Sequence, residues 1–162
     1  MKRIISALLV ALLMFSLVSC VGESAKTFTS NGMSITLTNA FKENTYEGYT
    51  VCYESKDAAV FVLKEAFSLQ EDMSEMSLDD YAKLVYSANA SKSPSEISKE
   101  DGLTFIEYDF HSEEENQTYS YFTTMFKGTD AFWIVQFISK KEAYDAKRQN
   151  FVDWAKTVEF PS

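Results

Sequence analysis

Residues 103–139 read LTFIEYDFHSEEENQTYSYFTTMFKGTDAFWIVQFIS, and the fold turns on this stretch. Three runs rich in aromatic and β-branched residues are separated by two short polar breaks. Leu103 to His111 predicts one strand, Thr118 to Lys127 a second and Ala131 to Ser139 a third. Such residues fit a pleated, partly buried surface. Glu113-Glu114-Glu115-Asn116 reads as the first turn and Gly128-Thr129-Asp130 as the second. A parallel crossover needs a dozen or more residues, so connections this short imply an antiparallel meander.

Downstream, Lys141 to Lys156 predicts a helix with Tyr144, Phe151, Trp154 and Ala155 on its buried side, followed by a short extended tail, Val158 to Phe160. Upstream, Phe28 to Ser30 and Met33 to Thr38 flank Asn31-Gly32, a dipeptide suited to a type I′ hairpin. Met33, Ile35 and Leu37 alternate with Ser34, Thr36 and Thr38, giving one dry face and one wet face. Tyr49 to Glu54 and Ala58 to Phe67 predict the next strand pair. The second of these is apolar on both faces over much of its length, which requires cover on both sides. A helix follows, with Ser77 as its cap and Asp80 three residues on. Leu78, Tyr81, Ala82, Val85 and Ala88 recur at helical spacing, and Ser91 to Ser95, with Pro94, ends it. The expected order is β-β-β-β-α-β-β-β-α: an α+β domain with a mainly antiparallel sheet and helices packed on both faces.

The chain resembles the PsbP-like family. The resemblance rests on Phe28-x3-Gly32-Met33-x-Ile35, Val62-Leu63-Lys64-Glu65, Ser77-Leu78-Asp79-Asp80-Tyr81, Asp101-Gly102-Leu103, Glu107-Tyr108, Lys127-Gly128-x2-Ala131-Phe132-Trp133 and the closing Trp154 to Phe160. It is nearest to the bacterial lipoprotein branch of that family, much of which has no assigned activity. The family shares its fold with a nuclear-transport factor that binds the small GTPase Ran. What the resemblance implies is a fold and, by analogy with accessory subunits, a non-catalytic assembly role. The matching positions are packing and turn residues, so no catalytic residue is carried across.

The amino end gives an address. Lys2 and Arg3 precede an apolar run, Ile4 to Val18, broken only by Ser6 and Ser16. As a helix this run spans roughly 22 Å, short of a hydrocarbon core of roughly 30 Å, so it reads as a secretory leader rather than a permanent span. Leu17-Val18-Ser19-Cys20 closes it and resembles the lipobox of bacterial lipoproteins. That resemblance implies cleavage between Ser19 and Cys20 and a diacylglyceryl group on the Cys20 thiol. The expected organisation is a removed signal over residues 1–19, a lipidated Cys20 with a short tether over 20–26, and a single domain over 27–162. The expected location is the outer face of a bacterial cytoplasmic membrane, held there by acyl chains that each gain roughly 0.8 kcal/mol per buried methylene.

Removing residues 1–19 leaves 143 of the 162 residues, with 13 basic and 24 acidic side chains, a net charge of −11. That charge repels phosphate backbones and excludes nucleic-acid binding. Lipidation would consume Cys20 and leave Cys52 without a disulfide partner; in its apolar run Cys52 reads as a small buried hydrophobe. His111 is the lone histidine and sits where a strand meets an acidic turn, so it is a weak member for any catalytic relay or zinc site. No HExxH, CxxC, P-loop or GxGxxG pattern occurs, and no cofactor or metal is expected. Glu113 to Asn116 lacks the alternation and glycine of a calcium loop, and Met73-x2-Met76 lacks further soft ligands for copper.

The best enzyme candidates are Glu65 and Glu107, each in phase with apolar residues of a strand. Facing one another in a cleft they could serve as acid and base on a glycoside, although a chain without long loops leaves little room for a substrate groove. An ion pair or a place near a strand end is the competing reading of each. The 24 aromatic residues are mostly core material, but a few tyrosines on an exposed edge or groove could bind a protein, lipid or glycan partner. The sequence therefore favours a lipid-anchored binding module over a small envelope hydrolase or a small-molecule or ion carrier. Mass spectrometry of the mature product tests the address: cleavage before Cys20 and an acylated thiol are expected, and an intact leader or a free thiol overturns it.

Overall fold

The computed structural model describes residues 23–69 and 71–160; the leader, Ser19 and Cys20 lie outside the described residues. Numbered in chain order, the strands are β1 (Ala25–Ser30), β2 (Met33–Thr38), β3 (Lys42–Asn44), β4 (Val51–Glu54), β5 (Ala59–Ala66), β6 (Ser98–Glu100), β7 (Leu103–Ser112), β8 (Gln117–Lys127) and β9 (Ala131–Lys140). The helices are α1 (Leu78–Ala88), between β5 and β6, and α2 (Lys141–Ala155), after β9. The main sheet runs β3-β4-β5-β9-β8-β7-β6, antiparallel throughout, and β1-β2 form a separate hairpin.

The meander β7-β8-β9 is present as its short turns require. It closes the sheet in an unforced way: after β5 the chain crosses one face through α1 to the far edge, then returns strand by strand until β9 pairs with β5 over eight residue pairs, Ala59↔Ile138 to Ala66↔Ala131. The observed order adds two strands to the expected one. β3 and β6 are three-residue edges whose residues are almost all exposed, and neither carries an apolar alternation. Edge pairing alone forms them, which is why no period marks them in the sequence.

Side chains leave β9 alternately. Trp133, Val135 and Phe137 point to one side and pack with Phe151, Val152 and Ala155 of α2 and with the β1-β2 hairpin. Phe132 and Ile134 point to the other side and pack with Tyr81, Ala82 and Val85 of α1. The helices therefore cover opposite faces, as the two-faced β5 requires. Phe122 of β8 is completely buried, between Phe105 (ring centroids 4.5 Å) and Phe137 (6.2 Å).

Local signals hold at the turns. Asn31 and Gly32 both take positive φ, 54° and 87°, as a type I′ turn demands. Ser77 caps α1 by accepting the Asp80 N–H at 3.1 Å, and its hydroxyl donates to the Asp80 carboxylate at 2.8 Å. α2 begins directly at the end of β9 without a side-chain cap. The tail beyond α2 closes on β2: Ser34 and Glu159 exchange backbone hydrogen bonds of 2.8 and 3.0 Å. Phe122→Ala is expected to lower the unfolding free energy by about 3–5 kcal/mol, and Ser77→Ala by about 1 kcal/mol, both read from urea midpoints; an unchanged midpoint for Phe122→Ala contradicts the packing described.

Candidate functional site

The two candidate carboxylates are not brought together. Glu65 shares the α1 side of β5 with Leu63, whereas Glu107 shares the α2 side of β7 with Leu103 and Phe105. They lie on opposite faces of the sheet, and a glycosidic bond cannot be shared through it. Each does a mechanical job. Glu65 accepts the Tyr81 hydroxyl at 2.9 Å and ties α1 to β5, while the Tyr81 ring stacks on Phe132 at 4.1 Å. Glu107 accepts Arg148 Nε at 2.8 Å and Nη2 at 3.1 Å, and also the Tyr144 hydroxyl, tying α2 to β7. The guanidinium lies over Phe105 and Phe122 at 5.7 and 5.6 Å. Burial, then Glu65, pushes the Tyr81 hydroxyl far up; burial, then Glu107, does the same to Tyr144. These tyrosines stay protonated and act as hydrogen-bond donors.

The other candidates are equally structural. Cys52 is fully buried on β4, and burial pushes its thiol up, away from the thiolate that a nucleophile or soft ligand requires. His111 is exposed and shares a hydrogen bond of 3.1 Å with Thr118 across the hairpin. Met73 is buried under α1 and Met76 packs on the same cluster. Glu113 to Asn116 form an exposed turn with Asn116 at φ 49°. Among the described residues no group of three or more His, Cys, Asp or Glu side chains is placed to hold a metal ion.

What remains is an aromatic surface. α1 covers only part of its face, over Ile106, Met125, Phe132 and Ile134. Toward the β7-β8 turn the same face continues in three rows set by the strand register. Thr123, Gln136, Phe61 and Cys52 form one row; Tyr108, Tyr121, Ile138 and Ala59 the next; Phe110, Tyr119 and Lys140 the last. Loop residues lean onto one border: Tyr46 and Tyr49 lie 5.4 and 4.8 Å from the Phe61 ring. At the opposite border Tyr108 stacks on Tyr121 at 4.9 Å, and Lys92 sits 4.8 Å above Tyr108 and 5.9 Å from Phe110. Tyr46 and Phe110 are 41% and 43% exposed, unusual for large aromatic side chains, while Tyr49, Phe61, Tyr119 and Tyr121 are half-buried. Gln136 Nε2 donates to the Tyr108 hydroxyl at 2.9 Å. The Tyr49 and Tyr121 hydroxyls have no hydrogen-bond partner among the described residues.

Carboxylates rim this shelf. The Tyr46 hydroxyl and Asn44 Nδ2 donate to the two oxygens of Glu54, each at 2.8 Å, and the Tyr119 hydroxyl donates to Glu115. Beyond Ala59, Tyr119 and Ile138 the shelf opens into a groove of about 640 Å³, bounded by the β4-β5 turn and the start of α2. Desolvation pushes the Lys92 ammonium down, and burial pushes Tyr121 up to about 12. Sequence alternation marks Tyr119 and Tyr121 as sharing a face, whereas Phe122, Phe132 and Trp133, equally prominent in the sequence, are core. Tyr46, Tyr49, Phe61 and Phe110 carry no signal as a group, because a loop and two separated strands bring them together.

No family model matches the chain, and no curated protein matches it. Solved structures do. The solution structure of cyanobacterial PsbP (CyanoP) from Synechocystis sp. PCC 6803 matches with a TM-score of 0.57 at 12% identity, covering 90% of this chain and 99% of that one. A crystal structure from Bacteroides thetaiotaomicron matches at 0.54 and 15% identity over 85% of this chain, which spans 48% of that longer one. The Ran-binding protein Mog1p of Saccharomyces cerevisiae matches at 0.50 and 8% identity over 86% of this chain and 96% of its own. The fold is thus PsbP-like, and at these identities the likeness extends to the fold alone.

The tyrosines set an alkaline limit. Burial holds Tyr53 and Tyr121 protonated up to about 12 in the folded chain, against about 10 when unfolded. The unfolded state loses those protons first, so the contribution of these two tyrosines is constant below about pH 10 and falls between about 10 and 12, by up to about 1.4 kcal/mol per pH unit for each, with Tyr81 and Tyr144 falling in the same direction. Urea midpoints against pH, with the tyrosinate absorbance as a second readout, check this; stability that rises over that window contradicts it.

Proposed function

We propose that this chain is a lipid-anchored, non-catalytic binding module of a bacterial envelope, displayed on the outer face of the cytoplasmic membrane, and that the aromatic shelf is its recognition surface. The address rests on the lipobox-like Leu17-Val18-Ser19-Cys20 behind an apolar leader. The observation that carries the binding reading is the shelf itself: a half-covered sheet face with six solvent-accessible aromatic rings, while Glu65 and Glu107 hold helices in place. Amphipathic aromatic side chains of this kind are enriched where proteins meet partners. A PsbP-like fold suits an accessory role by analogy, since a fold hosts many functions and the site decides between them.

A hydrolase that uses Glu65 and Glu107 together loses its support, because the two carboxylates act on opposite faces. The groove beside the shelf favours a second reading, a carrier of a small polar molecule.

A photo-crosslinking residue placed at Tyr46, compared with one at exposed Leu84 on α1, tests the binding reading in native membranes. Discrete adducts from position 46 and none from position 84 are expected. Equal labelling, or none from position 46, overturns it. Glu65→Gln with Glu107→Gln is expected to leave the adducts unchanged when folding is verified.

A further inference from the structure

We propose that the shelf takes a basic, extended polypeptide segment, its lysine or arginine side chains lying on Tyr49, Phe61 and Tyr121, between Glu54 at one border and Glu115 at the other. The inference rests on the binding-module reading and adds the chemistry of the partner.

Charge complementarity carries it. The mature chain has a net charge of −11. Glu54 and Glu115 border the rings, and neither forms an ion pair with a Lys or Arg among the described residues. Ring faces next to carboxylates attract cations, because the quadrupole and the fixed charge add. One corner of the shelf already shows this preference: Lys92 lies over Tyr108 and Phe110. Tyr49, Phe61 and Tyr121 have no cation above them among the described residues.

The neighbouring backbone points to a polypeptide. The β7 edge next to the shelf is covered only as far as Glu107, whose N–H donates to Ser95 Oγ at 2.9 Å and whose C=O accepts the Ser95 N–H at 2.7 Å. β6 pairs no further than Phe105. In the antiparallel ladder Asp109 and His111 face outward as Glu107 does, and their backbone groups find no partner on that side among the described residues. An extended segment can bond there through its main chain beside Tyr108 and Phe110, and its continuation across the face then reaches Tyr121, Phe61 and Tyr49.

The test uses the mature lipidated chain in detergent micelles and a labelled alternating Lys-Ala peptide, a Gln-Ala analogue and a chitin oligosaccharide as probes, read by fluorescence anisotropy. The Lys-Ala peptide is expected to bind and the Gln-Ala analogue not to. Tyr49→Leu with Tyr121→Leu, which leaves the charge unchanged, is expected to weaken binding about tenfold, and Glu54→Gln with Glu115→Gln by a similar factor. Glu71→Gln with Glu75→Gln, remote from the shelf and equal in charge change, is expected to have little effect. Tyr49→Leu alone, at a half-buried loop position, serves as the ring variant if the tyrosine pair fails to fold. Peptide binding that ignores the rings, or that falls equally with the remote pair, reduces the effect to bulk charge and overturns the proposal. So does ring-dependent binding of the oligosaccharide without the peptide, or binding of neither. In each of these cases, adducts at position 46 leave the binding module standing, and their absence removes it as well.

Discussion

Strand β9 is hydrogen-bonded along both edges, to β5 on one side and β8 on the other, and carries apolar side chains on both faces. A strand of this kind cannot be left to solvent on either side. Each face that is uncovered exposes Trp133 and Phe137, or Phe132 and Ile134, at roughly 25 cal/mol for every Å² of apolar surface. Covering it twice explains the placing of both helices. The crossover from β5 to the far edge lays α1 on one face, and the chain leaving β9 folds straight back as α2 on the other.

The two faces are not finished in the same way. On the α2 side, fifteen helical residues and the β1-β2 hairpin together reach the core from Phe105 to Tyr53. On the other side, α1 has only eleven residues, and no hairpin assists it. Loop residues Tyr46 and Tyr49 and the Lys92 turn close part of the remainder. The aromatic shelf is the residue of this asymmetry. Its rings are amphipathic enough to border solvent without the cost that Leu or Ile would bring there. Fastening is symmetrical by contrast: a part-buried tyrosine–glutamate hydrogen bond secures each helix, Tyr81 on Glu65 and Tyr144 on Glu107. The same pairing at the rim, Tyr46 on Glu54 and Tyr119 on Glu115, leaves its carboxylates open to solvent.

Most of this fold is legible along the chain. The meander follows from turn lengths, α1 from its cap and stripe, and the need for two covers from the two-faced β5. The edges β3 and β6 are not, because their residues are polar and pair only when a neighbour is already in place. Site residues are harder for a related reason. Phase along a strand states which residues share a face but not which face, so Glu65 and Glu107 look alike in sequence and part company only when the register is known. The shelf is less visible still. Tyr46 and Phe110 come to border one surface only through the pairings that run from β5 to β7, and a local pattern carries no record of such distances.

The seam between β2 and the tail joins the first and last parts of the described chain. Thr157 Oγ1 accepts the Thr36 N–H at 2.9 Å, across 121 residues, while donating to the Trp154 carbonyl at 2.7 Å, and Glu159 bridges Ser34. A closure of that span carries a large entropic penalty until the intervening elements have folded and drawn its ends together. During synthesis the hairpin lacks this seam until residues 157–159 have been made, and holds only its packing on the sheet, such as Phe28 against Tyr53. The bonds that fix it to the helix-side tail are therefore among the last of the described fold to form.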